Sequence, residues 1–267
     1  MKNNTTKKYL SPRERDVISR LSYEKLTIVT KEQLDAFFKF PLAVRNKVIF
    51  NLREKGILKN IKKGVYFYSP LESGPEGMNI NEFLIASVLF PDGNYYVGYS
   101  TMYNYYGFTD QIFQVMFLLN TILKREKVIG NIFFKMIKVS TKRMFGLGKV
   151  KVEDAEVIVS DRERTLVDLI YYPNPVGGLE IAFDILRDQV NNKKIDTRKL
   201  IKYASLFPSV STRKRIGFCL DQSGFNEKEF TPLLKSIKGT SLATLYNLKS
   251  RRGKINKKWG IIENAAS

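Results

Sequence analysis

The chain has 267 residues, 43% of them hydrophobic, and a formal net charge of +19. That is long enough for one large domain, or a small domain beside a larger one, and too apolar for wholesale disorder. It holds no histidine and a single cysteine, Cys219. Zinc is therefore nearly excluded for want of ligands, Ser-His-Asp and Cys-His catalysis for want of a base, and internal disulfides for want of a second thiol.

In chain order, "SPRERDVISRL" predicts a first helix. Ser11 and Glu14 make a capping box, Pro12 takes the first helical position, and Val17, Ile18 and Leu21 form the apolar stripe. Thr30 and Gln33 open a second helix with Leu34, Phe37 and Phe38 facing inward. The third starts at Pro41 and stops at Gly56. Projected at 100° per residue, Leu42, Val44, Val48, Ile49 and Leu52 share its core face. Ala43, Asn46, Lys47, Phe50, Arg53 and Glu54 share the other, with Arg45 at the edge. "ILKNI" and "VYFY" read as two strands around a Lys62-Lys63-Gly64 turn, with Lys59 in the first strand.

Three short helices and a hairpin are the order of a winged helix-turn-helix, over residues 1–80. In that arrangement the third helix enters the major groove of DNA and the wing touches phosphates. The expected DNA-binding residues are Ala43, Arg45, Asn46, Lys47, Phe50, Arg53, Lys59, Lys62 and Lys63. The alternative is a three-helix module that binds protein.

Past a loop marked by "SPLESGPEG", residues 81–267 read as a larger mixed α/β domain, which makes the whole chain α+β. "NEFLIASVLF" predicts a helix, Ser100 caps a short one stopped by Gly107, and "QVMFLLN", "NIFFKMIKV" and "AEVIVS" predict strands. Ser160 and Glu163 suggest a third capping box, over "DRERTLVDLI", whose charged residues read as surface ion pairs; "LEIAFDILRDQV" predicts another helix. The tyrosines between 95 and 106 lack interleaved basic residues and read poorly as a base-stacking platform. Gly146-Leu147-Gly148 is only a fragment of a phosphate loop.

Charge is uneven. Residues 1–80 hold 16 Lys and Arg against 8 Asp and Glu, residues 81–197 hold 14 against 14, and residues 198–267 hold 15 against 4. A basic balance of this kind suggests a nucleic acid or another anionic partner. Arg213, Lys214 and Arg215 form one cluster of the tail. Arg251, Arg252, Lys254, Lys257 and Lys258 form another, on an expected terminal hairpin in which Leu245 and Leu248 precede a Gly253 turn and Trp259, Ile261 and Ile262 follow it. These lysines and arginines read equally as a polyanion or acidic-partner surface and as a solvated edge that discourages strand pairing.

The opening residues lack the apolar region of a signal peptide, and "FLIASVLF" is too short to span a bilayer. With a lone cysteine fitting a reducing cytosol, the expectation is a cytoplasmic protein with no membrane partner. No catalytic residue, metal or cofactor is expected.

Four blocks in order, "KGVYFY", "YYVGYSTMYNYYGFTDQ", "SDRERTLVDLIYYPNPVGG" and "LKSRRGKINKKWGIIEN", together resemble the AbiEi family of antitoxins and transcriptional regulators from abortive-infection phage-defence operons. The resemblance spans nearly the whole chain. It implies an N-terminal domain that binds double-stranded operator DNA and represses its own operon; the exposed face of the third helix and the dibasic turn predict an inverted repeat as the site. It also implies an antitoxin domain over residues 81–267 that counters a nucleotidyltransferase toxin acting on RNA, tRNA included. Direct contact with the toxin is left open, as are RNA binding by the tail and the oligomeric state. The alternative is a stand-alone transcription factor whose C-terminal domain senses a ligand or dimerises.

Overall fold

In the computed structural model the described residues are 9–73, 81–153, 155–224, 227–246 and 251–264. The chain divides into two units, Met1–Leu89 with Val128–Ile132, and Phe90–Lys127 with Phe133–Ser267. The expected boundary at residue 80, the end of the preceding loop and Leu248 lie outside the described residues.

In the first unit both capping boxes form as expected. The Glu14 amide donates to Ser11 Oγ and the Ser11 amide to Glu14 Oε2, which opens α1 (Pro12–Tyr23). Thr30 and Gln33 do the same for α2 (Lys31–Phe38), entered from the short strand β1 (Ile28–Thr30). α3 (Leu42–Glu54) ends at Gly56, whose φ of +74° is readily reached only without a Cβ. Strands β2 (Leu58–Lys62) and β3 (Val65–Tyr68) follow, then α4 (Glu82–Leu89).

The sheet order is β1-β3-β2, all antiparallel. The third strand, β1, is an addition to the expected hairpin; at three residues it is too short to carry a period. Val17, Leu21, Leu34, Val48, Leu52 and Tyr68 meet in the unit's core. Leu42 is not among them. It was assigned to the core face of α3, but as the helix's first residue it projects past the core and is 65% exposed.

The second unit is built on a mixed sheet. Its strands β4 (Tyr95–Gly98), β5 (Val115–Asn120), β7 (Ile132–Lys138), β8 (Leu147–Val152) and β9 (Ala155–Ser160) run in the order β7-β5-β4-β9-β8. Strand β6 (Arg125–Ile129) spans the division between units. β4 pairs antiparallel with β5 and parallel with β9. Gly146-Leu147-Gly148 is the start of β8 and not a phosphate loop.

After α5 (Ser100–Tyr105), the helices α6 (Arg162–Tyr171), α7 (Leu179–Asn191), α8 (Thr197–Leu206), α9 (Val210–Asp221) and α10 (Thr231–Ile237) pack together with α9 at their centre. A small sheet, β10 (Ala243–Thr244), β11 (Lys254–Asn256) and β12 (Ile261–Glu263), lies against α9 in the order β10-β12-β11. Gly217 on α9 permits this approach, since a Cβ there would stand 2.0 Å from the buried Trp259 ring. Among the described residues no helix is long and apolar enough to cross a membrane.

Two caps differ from the sequence reading. Asp161, not Ser160, caps α6, accepting from the Arg164 amide, while Ser160 Oγ turns to Thr165 Oγ1 at 2.7 Å. Tyr99 rather than Ser100 precedes α5, with φ +53° and ψ −138° and no side-chain cap bond. That backbone conformation is costly for an L-residue. The Tyr99 phenol is held by Arg143, which donates to it at 2.9 Å. The terminal hairpin forms, but it turns at residues 257–260 and not at Gly253.

Candidate nucleic-acid interface and basic surfaces

On the first unit, Val48, Ile49 and Leu52 turn α3 toward the core, and this leaves Ala43, Asn46, Lys47, Phe50 and Arg53 exposed. Phe50 is 58% exposed. Arg45 is separated from this set, because its side chain is largely buried and paired with Asp35. Arg45 and Arg53 both act electrostatically on the Tyr66 phenol, yet burial dominates and raises its pKa.

The hairpin turn is anchored through Gly64, whose carbonyl accepts the Lys31 amide at the start of α2. Lys63 is exposed, and Lys59 and Lys62 are half-buried. Lys31 therefore belongs beside the dibasic turn. In sequence it lies 31 residues before Lys62, and only the β1–β3 pairing brings the two segments together.

In the second unit the two basic clusters part company. Arg213, Lys214 and Arg215 were expected to form a surface, but α9 is enclosed by α6, α7, α8, α10 and the small sheet. Lys214 and Arg215 are buried, and all three bond to carbonyls. Arg213 Nε donates to Phe207 O at 2.6 Å and its Nη1 to Ser236 O at 2.8 Å. Lys214 Nζ donates to Ser241 O at 2.7 Å, and Arg215 Nη2 to Thr244 O at 3.0 Å. By contrast Arg251, Arg252, Lys254 and Lys257 are exposed. Lys258 is half-buried and pairs with Asp221 at 2.8 Å; the Trp259 indole donates to the same carboxylate at 2.9 Å.

The charges of "SDRERTLVD" are not surface pairs either. Arg164 and Asp168 are fully buried at 2.6 Å, and Arg143 reaches the same carboxylate at 3.0 Å. Arg164 also donates to the Tyr96 phenol at 3.0 Å. Burial alone would lower the Arg143 pKa, but Asp168 with Tyr99 and Tyr96 holds it above its ordinary value. Glu163 ties α6 to α8, accepting from the Asp196 amide at 3.0 Å and pairing with Lys199 at 2.9 Å. Tyr95, Tyr96, Tyr99 and Tyr103 are core residues, which disposes of a stacking platform. Cys219 is also in the core, where burial raises its thiol to about 12.

No family model matches the chain, and no curated protein matches it. A solved structure, that of the Rv2827c protein from Mycobacterium tuberculosis, is similar with a TM-score of 0.66. The likeness covers 94% of this chain and 91% of that one at 17% identity, and at that identity it shows the mixed α+β fold alone.

Proposed function

We propose that the protein is a DNA-binding autorepressor and antitoxin, with a winged helix-turn-helix in its first unit that binds an inverted repeat near its own promoter. The observation that carries this reading is the exposed face of α3, where Asn46 and Lys47 stand beside an apolar Phe50. Asn and Lys match acceptor and donor patterns on base edges, and an aromatic ring can pack on a thymine methyl. The basic turn at Lys62 and Lys63 supplies phosphate contacts. Arg45, engaged by Asp35, serves to orient α3.

The antitoxin role is assigned to the second unit from the family resemblance, with Arg251, Arg252, Lys254 and Lys257 as its exposed cations. The nucleotidyltransferase toxin, or RNA, is the partner to be tested.

The test is a mobility-shift titration of the full chain on its own promoter. Replacing a base-reading residue costs about 1–3 kcal/mol and relaxes specificity at one position. Unchanged affinity and specificity in the Lys47→Ala, Phe50→Ala double variant would remove α3 from the interface. For the second unit, co-expression with the adjacent open reading frame should rescue growth. Rescue should weaken when Arg251, Arg252, Lys254 and Lys257 are neutralised together. Absence of a toxic neighbour would favour the stand-alone transcription factor.

A further inference from the structure

An open pocket of about 490 Å³ in the second unit is lined by Lys214, Lys235, Lys238, Lys257 and Lys258, and among the described residues no acidic side chain lines it. The five lysines come from three places: Lys214 from α9, Lys235 and Lys238 from α10 and its exit turn, and the last two from the β11–β12 turn. Lys258 is engaged by Asp221. None of the other four faces a carboxylate at ion-pair distance among the described residues.

Lys214 differs from ordinary surface lysines, being only 1% exposed. Its ammonium donates to Ser241 O at 2.7 Å and to Gly260 O at 3.3 Å, which uses two of its three protons. Gly260 makes room for it, since a Cβ there would meet Lys214 Nζ at 2.8 Å. A buried cation without a counter-charge is costly, and an anion in the pocket would supply what the protein does not.

We propose that this pocket binds a polyphosphate chain, either free or as the triphosphate of a nucleotide. Its volume is that of a small-ligand pocket. Several cations converging on one concavity match a compact anion of three or four charges. A nucleic-acid strand spreads its charge along its length, at about one per 3.4 Å, so it brings fewer charges to a single concavity. Lys214 fixes the floor, while Lys235, Lys238 and Lys257 close over the outer oxygens. The site is independent of the α3 surface, so its failure would leave the DNA-binding reading untouched.

The test is calorimetry on the full chain at physiological ionic strength, with tripolyphosphate, ATP, AMP and orthophosphate as probes. Tripolyphosphate and ATP should bind, and AMP and orthophosphate should bind at least about tenfold more weakly. Equal affinity for the first two identifies a bare phosphate chain as the ligand, and tighter ATP identifies a nucleotide. Lys235→Gln, Lys238→Gln and Lys257→Gln, all at exposed positions that leave the fold intact, should each cost about tenfold. No binding of tripolyphosphate, or undiminished binding by the triple variant, overturns the proposal. So does a triple variant that loses nucleic-acid affinity when the wild type never bound tripolyphosphate.

Discussion

Lys62 and Lys63 lie at the β2–β3 turn, where the chain reverses and the Gly64 carbonyl accepts the Lys31 amide. Arg213, Lys214 and Arg215 are an equally basic run, yet they lie on a helix with neighbours on every side. The first pair stays available to solvent; the second run spends its donors on carbonyls. Two of those carbonyls, Phe207 O and Ser236 O, lie at the C-terminal ends of α8 and α10, where the helix dipole favours a cation. The net charge of a segment therefore says little about its surface until the address of each residue is known. In this protein several of the charges that read as partner-seeking hold the fold together.

The strongest way to break that distinction is to remove Asp168, whose carboxylate is shared by the buried Arg143 and Arg164. Asp168→Ala leaves two buried guanidinium groups without their counter-charge, which costs about 3–5 kcal/mol. Denaturant melts of the full chain should show the second unit unfolding first. A loss below about 1 kcal/mol would mean that the aromatic rings around the two arginines, Phe207 among them, carry the charge unaided.

The first unit has a smaller counterpart in Glu14, which is buried while its carboxylate accepts from the Ser11 amide, Asn51 and Lys55. Burial opposes its ionisation, but the Lys55, Ser11 and Asn51 bonds together hold its pKa below the ordinary value. A folded pKa below the unfolded one contributes stability that is fully present above about pH 4.3 and lost as pH falls through the folded value. Glu14→Gln should cost about 1–3 kcal/mol at neutral pH. It should also flatten the acid limb of the first unit's stability curve. An unaltered acid limb would assign that limb to other carboxylates.

Much of this was legible in the sequence. The capping boxes at Ser11 and Thr30 are local, and each forms as its spacing predicts. The apolar runs of β5, β7 and β9 were also plain, because buried strands need continuous hydrophobic stretches. The buried charges were not legible, since Arg164 and Asp168 have the i, i+4 spacing of a surface pair and only the packing around α6 decides otherwise. The terminal segment shows the same pattern. Trp259 is held by Asp221 and packs against α9, and Asn264 exchanges hydrogen bonds with the Tyr246 backbone at 3.0 and 2.9 Å. The lysine pocket was legible only in part. Lys214, Lys257 and Lys258 lie in the two basic runs, but Lys235 and Lys238 carried no signal. Only the packing of α9, α10 and the terminal hairpin brings the five together.

The smallest expected change in stability is also the sharpest test of the comparison. Lys62→Ala and Lys63→Ala remove charges that make no ion pair among the described residues, so each should alter stability by less than about 0.5 kcal/mol. If the turn touches DNA phosphates as proposed, each variant should weaken binding to all sequences alike. It should also reduce the slope of log affinity against log salt by about 0.9. Arg45→Ala should behave in the opposite manner. It frees Asp35 and loosens α3, so stability should fall while the salt slope stays near that of the wild type. A salt slope that drops for Arg45→Ala and holds for the two lysines would exchange their roles. In that case Arg45 leaves Asp35 for a phosphate on binding, and the turn stands clear of the duplex.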